Sequence, residues 1–261
     1  MNDDGKNKPP TLQERLDRLA VERGLFATRS RAADAIRRGH VRVDGRIIRK
    51  PGEKVPAAAR IETDDPAGAY VSRAALKLLA GLEAWPADLS GAVCLDVGAS
   101  TGGFVQVLLQ HGARRVYAVD VGHGQLHPDL AEDPRVISLE GVNARDLDAA
   151  LIPEPVDVIT ADVSFISLRK ALPAALALAR PGTRLWALVK PQFEVGPERI
   201  GRGGVVRSET ARRQAVEDIA AFLEGQGWHV AGHVPSPIAG ADGNREFLIH
   251  AVKNGARQKG A

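Results

Sequence analysis

The sequence predicts an α/β protein: a doubly wound, parallel-dominated sheet with helices on both faces, preceded by a small α+β module. Three observations carry that expectation. From about residue 72 onward, short apolar runs alternate with segments of helical period. At 93–104 the run Val93-Cys94-Leu95-Asp96-Val97-Gly98-Ala99-Ser100-Thr101-Gly102-Gly103-Phe104 passes from an apolar strand through a glycine-rich turn into a helix start. The charge is also uneven: residues 1–60 hold 15 Lys and Arg against 8 Asp and Glu, whereas residues 61–261 hold 20 against 24. A basic front on a near-neutral body suggests a polyanion-binding module joined to a larger domain.

In the front module, Leu12, Leu16, Leu19 and Ala20 recur at helical spacing behind a Thr11 cap, which predicts a helix over 11–22 ended by Gly24. A second helix over 30–38 buries Ala32, Ala35 and Ile36, stops at Gly39, and leaves Arg29, Arg31, Arg37 and Arg38 to solvent. Val41 to Ile48 alternates around Asp44-Gly45, a hairpin signal. The expected organisation is a disordered tail at 1–10, the module at 11–62, a linker at 63–70 around Pro66 and Gly68, the main domain at 71–252 and a basic tail at 253–261.

The main domain reads as helix 72–83, strand 93–97, helix 103–111, strand 115–120, strand 136–140, strand 156–162, helix 167–179, strand 183–190, helix 208–226, strand 228–235 and strand 244–252. Ligands of such sheets sit at the carboxyl ends of the strands, which puts Asp96, Asp120, Asp162 and Lys190 on one rim. The turn at 98–103 lets a ligand approach backbone, yet Ser100 stands where a dinucleotide fingerprint needs glycine, and no Lys-Ser/Thr follows to make a P-loop. A nucleoside-like ligand of another kind is indicated. Asp120 suits a ribose, or else caps the turn before Gly122. Lys190, beside apolar walls and a second cation, suits a general base fixed by Asp162; the bland alternative for both is an ordinary capping or surface charge.

Composition excludes several classes. The single cysteine, Cys94, rules out a disulfide framework and a thiolate metal cluster, and the histidines, including His123 and His127, read as polar loop residues without metal spacing. No signal peptide and no membrane-length apolar run appear, so a soluble cytoplasmic protein is expected. The segment 193–207, rich in glycine and arginine, reads either as a loop that orders on a ligand or as a plain connection.

Two resemblances add to this reading. Arg15-Leu16-Asp17, Arg29-Ser30-Arg31-Ala32, Ile36-Arg37-Arg38-Gly39-His40-Val41 and Val43-Asp44-Gly45 resemble the S4-type RNA-binding domain over about 11–62. The resemblance implies RNA contacts from Arg15, Arg18, Arg29, Ser30, Arg31, Arg37 and Arg38, by shape more than by base sequence. Residues 70–252 resemble the FtsJ-like ribose 2′-O-methyltransferases, on Tyr70-Val71-Ser72-Arg73-Ala74-Ala75-Leu76-Lys77-Leu78, the 96–104 turn, Asp120-Val121-Gly122, Asn143-Ala144-Arg145, Asp162-Val163-Ser164-Phe165-Ile166-Ser167, Val189-Lys190-Pro191-Gln192-Phe193-Glu194 and Gly243-Asn244-Arg245-Glu246-Phe247. The two domains in this order resemble the TlyA family.

That family resemblance implies a Rossmann-like domain dependent on S-adenosyl-L-methionine and a catalytic tetrad at Lys77, Asp162, Lys190 and Glu246. It implies cofactor contacts from Asp96, Gly98, Ala99, Ser100, Thr101, Gly102, Gly103 and Phe104 near the methionine portion. Asp120 would meet the ribose, Asn143 and Ala144 the adenine, and Asp162 would serve both sites. The implied reaction is 2′-O-methylation of cytidine in ribosomal RNA, with ribosomal subunits as partners, no metal and no stable protein partner. Without the resemblance, Lys77 reads as a solvated helix lysine and Glu246 as a cross-strand partner of Arg245. The alternatives are a non-catalytic RNA-binding assembly factor and a membrane-active haemolysin, for which no amphipathic or export signal is present. The stretch Pro128-Asp129-Leu130-Ala131 is less basic than expected of the family.

Overall fold

The computed structural model describes residues 12–240 and 243–255; the tail expected at 1–10, the Thr11 cap and the part of the basic tail past residue 255 lie outside the described residues. The chain divides into two compact units, one ending at Ala69 and one starting at Tyr70.

The first unit runs β1 (Gln13–Arg15), α1 (Leu16–Glu22), α2 (Arg29–Arg38), β2 (Val41–Val43), β3 (Arg46–Ile47), β4 (Lys54–Pro56) and β5 (Ile61–Thr63). Leu16, Leu19, Ala20, Ala32, Ala35 and Ile36 form its core with Val41 and Val55. The first helix starts at Leu16, not at residue 11, because Gln13–Arg15 pairs antiparallel with Lys54–Pro56. Leu12, a core position by helical spacing, is consequently exposed. Periodicity cannot register a strand partner some forty residues away. Helix α2 is capped by the Thr28 hydroxyl, which accepts from the Arg31 amide, and ends at Gly39 in the left-handed region. Residues 63–70, expected as a linker, begin with the last residue of β5 and close in a 3-10 turn at Pro66–Ala69.

The second unit runs α3 (Ala75–Ala84), β6 (Val93–Val97), α4 (Gly103–Gln110), β7 (Arg115–Asp120), α5 (Pro128–Ala131), β8 (Val136–Glu140), β9 (Val156–Ala161), α6 (Leu168–Ala171), α7 (Pro173–Ala177), β10 (Ala179–Val189), α8 (Pro191–Glu194), α9 (Glu209–Gly225), β11 (Trp228–Pro235) and β12 (Phe247–Lys253). Its seven strands lie in the order β11-β12-β10-β9-β6-β7-β8, parallel from β10 to β8 with β12 reversed. The chain builds outward from β6 to β8 and then returns to the other side of β6 with β9. This is the topological switch point of a doubly wound sheet. The helix expected at 167–179 is divided into α6 and α7 at Pro173, whose ring supplies no backbone N–H to continue the first segment. The last strand starts at Phe247, not 244, because Asn244 and Glu246 lie in the turn that Ser236 and Gly240 close by backbone hydrogen bonds.

Alternation along the strands fills two cores. Leu95, Val97, Val119, Ile159 and Leu185 face α6, α7 and α9, while Cys94, Val116, Val158, Trp186 and Leu188 face α3 and α4. Burial on both sides is what a parallel sheet demands of its strands. On the α3 face Gly81 permits close approach: a Cβ there would lie 2.0 Å from the Leu248 side chain.

Two titratable side chains are enclosed with these cores. His250, far from the polar loop position expected of the histidines, is 3% exposed, stacks on Trp186 at 4.3 Å between ring centroids, and approaches Trp85 at 5.4 Å. Its Nδ1 lies 2.9 Å from the Leu185 carbonyl oxygen. Asp96 is 1% exposed; Oδ1 accepts from the Thr160 hydroxyl at 2.7 Å, and Oδ2 is buried without a partner.

These two groups pull stability in opposite directions with pH. Burial lowers the His250 pKa, so the folded protein excludes a proton that the unfolded chain binds below about pH 6.5. Its contribution is full above that value and drains as pH falls through the lowered folded pKa. The melting temperature of His250→Phe is therefore expected to fall less than that of wild type on acidification. Burial pushes Asp96 up to about 7. A raised carboxyl contributes fully below its unfolded value and loses that contribution as pH rises through about 7. Asp96→Asn should flatten the decline in melting temperature that wild type shows between about pH 4 and its folded value of about 7; a parallel decline in both proteins would remove Asp96 as its source.

Candidate active site

The rim at the carboxyl ends of β6, β7, β9 and β10 holds a polar constellation built by four separate elements. The turn after β6 comes first. Gly98 has φ +86°, and a Cβ there would sit 2.8 Å from the Asp162 carbonyl oxygen, so only glycine allows β6 and the end of β9 to approach this closely. The Asp162 amide donates to the Val97 carbonyl at 3.0 Å, which fixes Asp162 at the switch point.

Asp162 joins two lysines. Lys190 Nζ, at the end of β10, lies 2.6 Å from Asp162 Oδ1 and donates to Ser164 Oγ at 2.7 Å. Lys77 Nζ, projecting from α3, lies 3.6 Å from Asp162 Oδ2 and 2.7 Å from Glu246 Oε2. Lys77, Lys190 and Glu246 are all buried. Two cations and two carboxylates thus form one continuous row, Lys190–Asp162–Lys77–Glu246, in which each buried charge has an opposite neighbour. The structure brings together all four residues that the sequence singled out. Lys77, 7% exposed, is no solvated helix lysine, and Glu246 turns to Lys77.

Beside this row lies a cleft of about 580 Å³, with apolar walls from Val97, Val119, Val142, Val163 and Ile166 and polar groups from Asp120, Asn143 and Asp162. Ala144, Gly98 and Ser100 also line it. A smaller cleft of about 190 Å³ adjoins it at Gly98, Ser100, Asp162 and Ser164, lined by Ala99, Thr101, Gly103 and Phe104 and reaching Lys190. Apolar walls, a few convergent polar groups and this size suit a nucleoside-bearing ligand whose reactive end points at Lys190. Asp120 accepts from the amides of Ser100 and Gly122, each at 2.8 Å, and so orders both loops that flank the cleft. Gly102 opens α4 in the left-handed region, where a Cβ would collide with Leu130 and Leu126. Asp96, expected among the ligand contacts, lines neither cleft; it braces β6 against Thr160 from behind the turn.

Several participants escape sequence reasoning. Ser164 and Phe165 lie within the Asp162-to-Ser167 stretch, yet periodicity gives them no role. Phe165 is 92% exposed with φ +66°, and its ring lies 5.4 Å from that of Phe193. A large apolar side chain held outward on left-handed backbone signals a contact surface. Glu194 is buried; it accepts from Ser167 Oγ at 2.5 Å and from the Leu168 amide at 2.8 Å, tying α8 to the loop after β9. Burial raises its carboxyl pKa despite those donors. Glu140 accepts from the amides of Gly124, Gln125 and Leu126, and these bonds hold its pKa down. The segment 193–207 is anchored near its end: Asn244, 1% exposed, donates to the Gly204 carbonyl and accepts from the Val206 amide.

In the first unit the arginines sort by partner. Arg15 and Arg29 reach the buried Asp17, and Arg15 holds that carboxyl below its usual range. Arg38, only 16% exposed in its side chain, bridges Asp34 and Asp65 and is an internal brace. Arg18 pairs with Glu22 on the surface, Arg31 donates to the Ala67 carbonyl, and Ser30 and Arg37 are exposed. Among the described residues no His, Cys, Asp and Glu group has a metal-binding arrangement, and no helix is long and apolar enough to cross a membrane.

Comparison with known proteins places this architecture. The family model described as FtsJ-like methyltransferase matches residues 70–253, and the S4 domain model matches residues 14–61. The 16S/23S rRNA (cytidine-2′-O)-methyltransferase TlyA of Mycobacterium tuberculosis is 45% identical over 236 residues, covering 90% of this chain and 88% of that protein. The 23S rRNA (cytidine-2′-O)-methyltransferase TlyA of Campylobacter jejuni is 39% identical over 71% of this chain and 72% of its own length. A solved structure from Streptococcus thermophilus that carries a hemolysin name superimposes with a TM-score of 0.73 at 40% identity, covering 94% of this chain and 90% of that one. With an S4 domain ahead of an FtsJ-like domain and this level of identity along nearly its whole length, the chain belongs to the TlyA family of FtsJ-like methyltransferases.

Proposed function

We propose that this protein methylates the ribose 2′-hydroxyl of cytidine in ribosomal RNA, using S-adenosylmethionine. The observation that carries the reading is the buried Lys190–Asp162–Lys77–Glu246 row, placed where the two clefts meet the sheet rim. The names of the mycobacterial and Campylobacter relatives supply the substrate class.

The fit of the methyl donor rests on the clefts themselves. Asp120, Asn143 and Ala144 would hold the nucleoside in the larger one, and the 98–104 turn the amino-acid portion in the smaller. S-adenosylmethionine, when bound, supplies a methyl group on a positively charged sulfur that is ready to leave. The chain's residues then have three tasks: position the acceptor, remove its proton and exclude water. Lys190 is the proton acceptor, since it lines the smaller cleft from the end of β10 and touches Asp162 and Ser164, which border both clefts. Asp162 fixes its amine. Lys77 shares the Asp162 carboxylate, and Glu246 fixes Lys77 in turn, so the row is a rigid electrostatic support that needs no rearrangement during reaction.

RNA recognition is divided. The exposed basic side chains of the first unit, Arg18, Arg29 and Arg37 with Ser30, meet phosphates, and the half-buried Arg31 adds to the same basic face, while Arg38 shapes the surface from inside. Phe165 stacks on a base next to the acceptor ribose. A non-catalytic assembly role makes poor use of a complete four-residue charge row buried beside a ligand cleft.

Lys190→Ala is expected to abolish methyl transfer to ribosomal subunits in a radiolabelled assay, while calorimetry still detects cofactor binding; full retained activity would sink the mechanism. Separate assays on small and large subunits identify the acceptor RNA. Phe165→Ala should weaken RNA binding by about 1–3 kcal/mol, the range found when a stacking side chain is removed. It should leave cofactor affinity unchanged, and an unaltered RNA titration would dismiss the stacking role.

A further inference from the structure

A third cleft, of about 520 Å³, opens on the same rim beyond Glu246, between the start of α9 and the connection from β11 to β12. Arg212, Arg213 and Arg245 line it with His233, Pro235 and Phe247, and the carboxylates facing it are Glu209 and Glu246. Glu246 is bonded to Lys77, so the cleft retains a surplus of positive charge. Arg212 donates to the carbonyls of Val206 and Arg207, which holds its guanidinium in place before any ligand arrives. Arg213 is 63% exposed in its side chain with only a loose 3.6 Å pairing to Glu217, and Arg245 is also exposed. The ring of Phe247 meets that of His233 edge-on at 6.0 Å.

Strand register locates this cleft relative to the chemistry. Val189, Phe247 and Pro235 stand in one row across β10, β12 and β11. Adjacent strands are about 4.8 Å apart, so the cleft begins at Phe247, one strand spacing along the rim from the residue before Lys190, and extends to Pro235 at roughly 10 Å. The nucleoside cleft lies on the other side, toward β6 and β7. A strand whose ribose reaches Lys190 must carry its neighbouring phosphates along the rim away from the methyl donor. In that direction the rim is arginine-rich and also carries the rings of His233 and Phe247. This pairing of charge and ring surface is suited to single-stranded nucleic acid.

We infer that the cleft between α9 and the β11–β12 connection binds the single-stranded RNA backbone flanking the acceptor nucleotide. Arg213 and Arg245 contact phosphates, and Arg212 supplies a fixed positive field behind them. The inference rests on the proposed action on RNA and adds a docking surface within the methyltransferase unit itself.

The test uses the full chain and the double variant Arg213→Ala/Arg245→Ala, with Arg213→Ala alone as the milder change. Labelled oligocytidylate and ribosomal RNA are titrated at several salt concentrations, and cofactor binding and melting temperature are measured in parallel. Each lost phosphate contact should make the dependence of log affinity on log salt shallower by about 0.7. The double variant should raise the KM for RNA about tenfold at little-changed kcat, with cofactor affinity and melting temperature as in wild type. Arg184→Ala, midway along β10 and outside the lining of the cleft, should leave the salt dependence unchanged. An unaltered salt slope in the double variant overturns the inference, and so does a loss that appears equally in cofactor affinity or melting temperature. If the wild-type protein binds RNA but transfers no methyl group, the catalytic proposal fails while the salt slope still decides the cleft.

Discussion

The Asp162 carboxylate, shared by Lys190 and Lys77, is the contact around which the methyltransferase unit is organised. Two buried ammonium groups would be prohibitively costly without an opposite charge between them. Asp162 can stand between them only because β9 enters the sheet next to β6, and it approaches the 98–103 turn closely only because Gly98 has no side chain. The same carboxylate borders both clefts. One position thereby sets the proton-handling end of the site and the wall of the ligand cleft together.

The rim loops are held by carboxylates more than by packing. Asp120 gathers the amides of Ser100 and Gly122, Glu140 those of Gly124, Gln125 and Leu126, and Glu194 the cap of α6. A carboxylate that accepts several backbone amides satisfies donors which would otherwise need water, and it fixes a loop without adding bulk to a ligand site. Glu194 has a further consequence. By tying α8 to the loop after β9, it connects the segment following Lys190 to the segment carrying Ser164 and Phe165, and the Phe193–Phe165 ring contact reinforces the same junction.

Legibility of the site varied with the range of the interactions. The strand–turn–helix at 93–104 was readable because its signals are consecutive: apolar run, glycines, helix start. The alternating strands and the ends of β7, β9 and β10 were readable for the same reason. Arg38 shows the opposite case. Its place on a helix face predicts solvent exposure, yet Asp65 curls back to meet it from beyond β5. The collective reading of the histidines as polar loop residues fails at His250, a buried residue of the last strand whose neighbours Trp85 and Trp186 come from distant parts of the chain. Gln13–Arg15 left its expected helix for a strand partner that local period does not encode.

By itself, then, the chain's order of residues determined the doubly wound architecture, the glycine turn and, through its family resemblance, the identity of the four charged residues. These are properties of short-range pattern, since side-chain period and turn chemistry act over a few residues. Tertiary structure alone decided that Lys77, 169 positions before Glu246, meets it at 2.7 Å, that Asp96 is a buried brace, and that Phe165 stands exposed beside the site. The reason is physical: electrostatic and packing energies depend on distance in space, and the crossing of β9 over to β6 is what converts separations along the chain into contacts.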